Sequence, residues 1–361
     1  MGQRRLGKRL AIVLAAAGLS MVPAPWAGAS GPSTPAGDTA AGAADDEFAG
    51  LVDIGGGRRL YLECRGSGSP TVVFESGSGD AADVWSLVEE GSSETAVLPA
   101  VAEFTRVCAY DRPGTVLRSA QPSRSDPVDL PRAVSEIVAD LHALLDAADV
   151  PGPYVLVAHS MGGLLARLYA GTYPDEVAGF ISVDAAHEIY YEAYQELLPP
   201  ELYMAPGAEI DVVAAAADMR RARTEQPLRQ MPMVVLEHSR DRERFPNPFG
   251  LPPGLPIEAL ELAFQASQDD LASLVPGTQH VIAANSEHYI HFSEPALVVD
   301  ATRAVVEAVR RGESRLGSEA LADTGGTAWI LVSMAFLLTG LGLGLRVVST
   351  APNSTHEQNP G

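Results

Sequence analysis

From residue 48 to about residue 312 the apolar positions follow two rhythms in turn: short unbroken or alternating runs, then runs with helical spacing. GLVDIGG and RRLYLECRG alternate apolar with polar positions, and Gly55, Gly56 and Gly57 between them predict a hairpin. PTVVFE and TRVCAYD are short continuous apolar runs, which predict buried strands. LPRAVSEIVADLHALLDAADV places Val134, Ile137, Leu141, Leu144 and Leu145 on one face and predicts an amphipathic helix. YVLVAHSMGGLLARLYA, from Tyr154, changes rhythm at Ser160. An apolar strand precedes the serine, and Leu164, Leu165, Leu168 and Tyr169 recur at helical spacing after it. AGFISVDAAH, MPMVVLEHSRD and QHVIAANSEH predict further strands, and ALVVDATRAVVEAVRR predicts a closing helix. Strands alternating with helices imply an α/β chain with a mostly parallel sheet of about eight strands, covered on both faces.

The two ends break this rhythm. Arg4, Arg5, Lys8 and Arg9, the apolar LAIVLAAAGLSMV and the small residues Ala27-Gly28-Ala29 predict a signal peptide over 1–29, removed by a signal peptidase. An uncleaved membrane anchor is the alternative. Residues 30–47 are rich in Gly, Ala, Pro, Ser and Asp with no apolar period, the composition of a disordered linker. Thr327 to Leu345 carries no charge and at ~1.5 Å per residue reaches ~28 Å, so 327–345 is expected to span a membrane, with a short tail over 346–361. Just before it, in the linker 317–326, stands Leu321-Ala322-Asp323-Thr324-Gly325. This pattern resembles the sorting signals of cell-wall-anchored surface proteins, with Ala322 where proline is usual. The resemblance implies cleavage between Thr324 and Gly325 by a sortase and attachment to the wall; a plain membrane anchor is the alternative. Either places the domain over 48–316 outside the cell.

Composition narrows the classes further. The chain has 361 residues, 46% of them hydrophobic, enough for one large domain with a substantial core. Its formal charge of −21 argues against a nucleic-acid partner, whose phosphates it would repel. No His, Asp or Glu group stands at metal-ligand spacing, neither cysteine has metal-ligand company, and no metal is expected.

The strand, sharp turn and helix around AHSMGG have the form of a nucleophile elbow, with Ala158 where its pattern usually has the first glycine. The turn brings helix and strands together, and a methyl is the least that can be added there. Taken with SGSGD, CAYDRPG, VDAAH, SRD and SEHYIHFSEPALVVDA, in that order, the chain resembles the α/β-hydrolase fold superfamily over roughly 48–312. The serine-esterase, haloperoxidase-like and proline-iminopeptidase-like branch is the most similar.

A serine hydroxyl needs a base to take its proton, and histidine suits that exchange near neutrality. Ser160 is therefore the candidate nucleophile and His288, after the last strand, the candidate base. His159 and His291 also lie in motifs; His159, locked into the turn beside the serine, is expected to pack or hydrogen-bond, and His291 to stand at a helix entry. The resemblance implies an acid after a late strand: Asp241, after VVLEH, with Asp184, ending ISVD, as the alternative. Asp111 is expected to brace its loop. The resemblance also implies an oxyanion hole from the backbone N–H groups of Met161 and Ser78, with Ser76 and Gly77 as the neighbouring alternatives to Ser78. It implies that the strands of Cys64 and Cys108 are neighbours, so that the pair can form a disulfide in an exported protein. Residues 187–230, with Tyr190, Tyr191 and Tyr194, are the candidate helical cap. The expected function is hydrolysis of small carboxylic esters through an acyl-enzyme without a cofactor. A proline-iminopeptidase-like aminopeptidase and a non-catalytic surface-binding module are the alternatives.

Overall fold

The predicted hairpin forms from β1 (Phe48–Asp53) and β2 (Arg59–Arg65), which pair antiparallel in a computed structural model that describes residues 47–204, 207–317, 321 and 330–331. Then come β3 (Thr71–Glu75), α1 (Val97–Ala102), β4 (Val107–Tyr110), α2 (Val134–Ala147), β5 (Tyr154–His159) and α3 (Met161–Thr172). β6 (Val177–Val183) leads into α4 (Glu188–Leu197), α5 (Pro200–Tyr203) and α6 (Val212–Glu225), the helices of the expected cap. β7 (Met233–Glu237), α7 (Ile257–Ser273), β8 (Gln279–Ile282), α8 (Ile290–Ser293) and α9 (Pro295–Arg310) complete the body, and β9 (Ile330–Leu331) is a two-residue strand.

The sheet order is β1-β2-β4-β3-β5-β6-β7-β8-β9. β3 to β8 run parallel; β2 pairs antiparallel with β4, and β9 with β8. Parallel strands need crossovers, and the helices supply them while covering both faces. This is why β5 is buried at every position and reads as an unbroken apolar run. On one face α2 packs Val134, Ile137, Val138, Leu141, Leu144 and Leu145 with α3 against the sheet. On the other, α1 and α9 bury Val97, Leu98, Val101, Val298, Val305 and Val306 over Val72, Phe74, Val155 and Val157. The sheet is thereby fixed from both sides, and the loops at the carboxyl ends of its parallel strands are held to one another.

Cys64 and Cys108 stand opposite each other in the β2–β4 register and are joined as a disulfide. The signal-peptide segment, the sorting motif at Thr324 and Gly325, and the span 327–345 apart from Ile330 and Leu331 lie outside the described residues. No helix among the described residues is long and apolar enough to cross a membrane.

Candidate active site

Ser160 sits between β5 and α3 with φ 52° and ψ −126°, a left-handed backbone that costs a non-glycine residue about 1–3 kcal/mol. Two bonds hold it there: the Ser160 N–H donates to the Val183 carbonyl (3.2 Å), and the Ser160 carbonyl accepts from the Ala186 N–H (2.7 Å). Ala158 is fully buried and pairs in register with Glu75 and Ser182, so its methyl fits. The glycine that the turn cannot give up is Gly162, where a Cβ would come within 2.5 Å of the carbonyl oxygens of Glu75 and Ser76.

From this turn a hydrogen-bonded chain runs across three strand ends. Ser160 Oγ lies 3.0 Å from His288 Nε2, and His288 Nδ1 lies 2.7 Å from Asp184 Oδ2. Ser160 and His288 are partly exposed and Asp184 is fully buried, so the serine end of the chain opens outward. Burial alone would raise the Asp184 carboxyl. The charge of His238 and hydrogen bonds from His238 and His288 outweigh it and hold Asp184 well below the usual carboxylate range. The acid facing His288 is thus Asp184, after β6, and not Asp241. Asp241 is exposed on its own loop, where Oδ1 accepts the backbone N–H groups of Glu243 and Arg244 (both 3.1 Å). A carboxylate closing such a turn does not reach back to His288.

Of the other motif histidines, His159 packs and hydrogen-bonds as expected, and His291 lies in the first turn of α8, where the helix entry was expected. Burial, then the neighbouring His288, pulls His159 down to about 3, and its Nε2 pairs with the His288 carbonyl (3.0 Å). His291 is fully buried between Trp85 and His159, at ring separations of 4.7 and 4.6 Å.

Met161 opens α3, so its N–H belongs to the first helical turn, whose amides have no intrahelical acceptor. Ser78 is exposed in the loop after β3, and this loop is tied down from below. Arg112 donates to the carbonyls of Ser76 (2.8 Å) and Gly77 (2.5 Å) and pairs with Glu75 and with Glu209 (2.9 Å). Glu209, from the cap segment, also accepts the Gly79 N–H (2.5 Å). Gly77 packs against the site: a Cβ there would lie 2.8 Å from His159 Nδ1. Asp111 braces as expected, capping the Ala82 N–H (2.9 Å) and pairing with Arg124 (2.7 Å).

Sequence reasoning missed Arg112, Glu209, His238 and Glu261. His238 directly follows β7, and its ring Nδ1 lies 2.9 Å from both oxygens of Asp184 while its Nε2 faces Glu261 (3.2 Å). The expectation of no metal-type cluster also meets an exception. Glu237, Asp269 and His280 come within 4.8 Å of one another from β7, α7 and β8, a grouping that sequence spacing could not reveal. Arg240 already bridges Glu237 (2.7 Å) and Asp269 (3.2 Å), and His280 adds a contact to Glu237 (2.8 Å). This is an ion-pair network.

The cap aromatics are largely used in packing. Tyr190, Leu198, Leu260 and Phe264 are buried together with Phe249 against them. Phe249 also lies over His288 at a ring separation of 5.0 Å.

A parallel sheet covered on both faces, with a serine on a strained strand–helix turn and its histidine and carboxylate at later strand ends, defines the α/β-hydrolase fold. Residues 70–207 match the family described as alpha/beta hydrolase fold. The uncharacterized protein YqjL of Bacillus subtilis is 28% identical over 240 residues, 65% of this chain and 82% of that one. An uncharacterized protein of Schizosaccharomyces pombe is 36% identical over 146 residues, 35% of this chain, which spans 26% of that protein's length. Among solved structures, a candidate lipase (lip1) from Acinetobacter baumannii AYE is similar in fold, with a TM-score of 0.50 at 17% identity, over 74% of this chain and 93% of that one.

Proposed function

We propose that this chain is an exported, surface-anchored serine hydrolase that cleaves carboxylic esters through an acyl-enzyme. The observation that supports it is the chain Ser160 Oγ to His288 Nε2 (3.0 Å) to Asp184 (2.7 Å), presented on a strained turn. In this reading Ser160 Oγ attacks the ester carbonyl as its proton passes to His288 Nε2. Asp184 orients the ring and stabilises its charged form. The oxyanion forms beside the backbone N–H groups of Met161 and Ser78, and each such donor typically contributes about 3–4 kcal/mol to the barrier reduction. His288 then returns the proton to the departing alkoxide. Water repeats the sequence against the acyl-enzyme and frees Ser160.

Labelling with a fluorophosphonate tests the nucleophile: the wild-type protein is expected to label, and Ser160→Ala is not. Failure of the wild-type chain to label near neutral pH would favour the binding-module reading. Nitrophenyl esters set against proline anilides separate esterase from aminopeptidase, and turnover of the anilides alone would overturn the ester assignment. Export and anchoring rest on the sequence of the two ends. Mass spectrometry of protein released from the wall is expected to find a C-terminus at Thr324; an intact C-terminus would favour the plain membrane anchor.

A further inference from the structure

Asp184 has two histidine partners, whereas orienting one catalytic base requires only one. His238 donates its backbone N–H to Asp184 Oδ1 (2.8 Å), and its Nδ1 lies 2.9 Å from Oδ1 and from Oδ2, the oxygen that also meets His288. Its Nε2 faces the buried Glu261 of α7 (3.2 Å), whose Oε2 is 2.8 Å from Arg242. Each ring nitrogen therefore confronts a carboxylate oxygen, and a ring in that position satisfies both only by carrying two protons. Phe264 stacks on the ring at 5.1 Å and Phe249 meets it edge-on at 5.2 Å, so water is kept from the pair.

We propose that His238 and Glu261 are positioning residues: His238 is an imidazolium held between two carboxylates, aiming Asp184 at His288 and lowering the pH at which the site becomes competent. The inference rests on the serine-hydrolase reading. The physical argument is one of shared charge. A carboxylate whose charge is partly met by one cation attracts a second proton on its other partner less strongly. His288 becomes charged during turnover, so the His238 cation disfavours that form and extends activity toward acid.

The groups facing this cluster are Asp184 after β6, Glu261 on α7, Arg242 in the loop after β7, and His159 at the end of β5. Asp80 and Arg118 approach from the loops after β3 and β4, Tyr190 from α4, and Tyr289 and His291 from beside His288. Burial alone would lower His238; the charges of Asp184 and Glu261 and their hydrogen bonds push it up to about 10 instead.

The test uses the full chain as wild type, His238→Asn and Glu261→Gln. Asparagine keeps a neutral donor near the Nδ1 position, and glutamine keeps the shape of Glu261 without its charge. With p-nitrophenyl acetate, the acid limb of kcat/KM against pH is expected to move up by about one pH unit in His238→Asn, which removes a cation, and down by less in Glu261→Gln, which removes an anion while Asp184 keeps His238 charged. Plateau kcat is expected to fall by about tenfold, because Asp184 loses the partner that aims it, with KM unchanged. A purely structural role would lower Tm and plateau rate together and leave the limb in place, which would overturn the proposal. Glu261→Gln decides the matter where His238→Asn does not fold. Independently, NMR of the 15N-histidine-labelled chain is expected to show one ring with both nitrogens protonated from about pH 5 to above about pH 8, absent in His238→Asn. Wild type without that signature overturns the proposal. Wild type with it but without ester turnover leaves the clamp standing and removes the esterase reading.

Discussion

Ser160 and His288 could be found in the sequence because each lies inside a local pattern, a strand-to-helix change of rhythm for the serine and the last loop before the closing helix for the histidine. The acid was harder, since two aspartates follow two adjacent strands and only the three-dimensional placement of His288 chooses between them. Asp184→Asn is expected to lower kcat/KM by about 10³–10⁴-fold, while Asp241→Asn stays within about twofold, both measured on the same ester. Comparable losses in both would mean that the 2.7 Å contact of Asp184 with His288 is not the working arrangement. His238 gave no sequence signal, because its partner Asp184 lies 54 residues away on a different strand. Gly162 shows the opposite case, a residue whose identity follows from its motif. Gly162→Ala places a methyl against two backbone carbonyls at 2.5 Å, and overpacking against backbone that cannot yield is expected to cost about 3 kcal/mol or more. Denaturant melts would show it as a lowered midpoint.

Among the elements, the strands and α2 were legible because burial on a covered sheet demands continuous apolar runs and a single apolar stripe. α7 was not singled out, and its composition explains why. Its buried face mixes Leu260, Phe264 and Leu271 with Glu261, Ser267 and Gln268, while Leu262 is exposed. A helix that packs over polar machinery carries polar residues inward, and the apolar period weakens. The loop after β3 was legible as a glycine-rich turn, but the strut beneath it was not, since Arg112 and Glu209 are 97 residues apart. Glu209→Gln removes one charge from a fully buried group of Glu75, Arg112 and Glu209 and loosens Gly79. Breaking a buried ion pair is typically worth about 3–5 kcal/mol, so a lowered Tm is expected with a fall in kcat of about tenfold and a smaller change in KM. An unchanged kcat beside a lowered Tm would show that the strut serves stability alone.

For the whole molecule, the site charges tie stability to pH. His238 is pushed up to about 10, so its contribution is complete below the ordinary histidine value of ~6.5 and is lost as pH rises through about 10. Asp184 is held low, so its contribution is present above about pH 4 and is lost only in stronger acid. Calorimetry is expected to show Tm falling between about pH 6 and pH 10, and falling less in His238→Asn. The disulfide acts at the same scale: with a sequence separation of 44 from Cys64 to Cys108, closing that loop constrains the unfolded chain by ~4 kcal/mol. The position of the acid has an evolutionary consequence as well. With Asp184 seated just after β6, the segment from Arg244 to Pro256 carries Phe249 over the site but supplies no side chain to the hydrogen-bonded chain. Substitutions in that segment that keep the Pro248 carbonyl, which accepts the His288 N–H (3.2 Å), would change the surroundings of the site without touching the hydrogen-bonded chain itself, which makes it the natural place to direct a library.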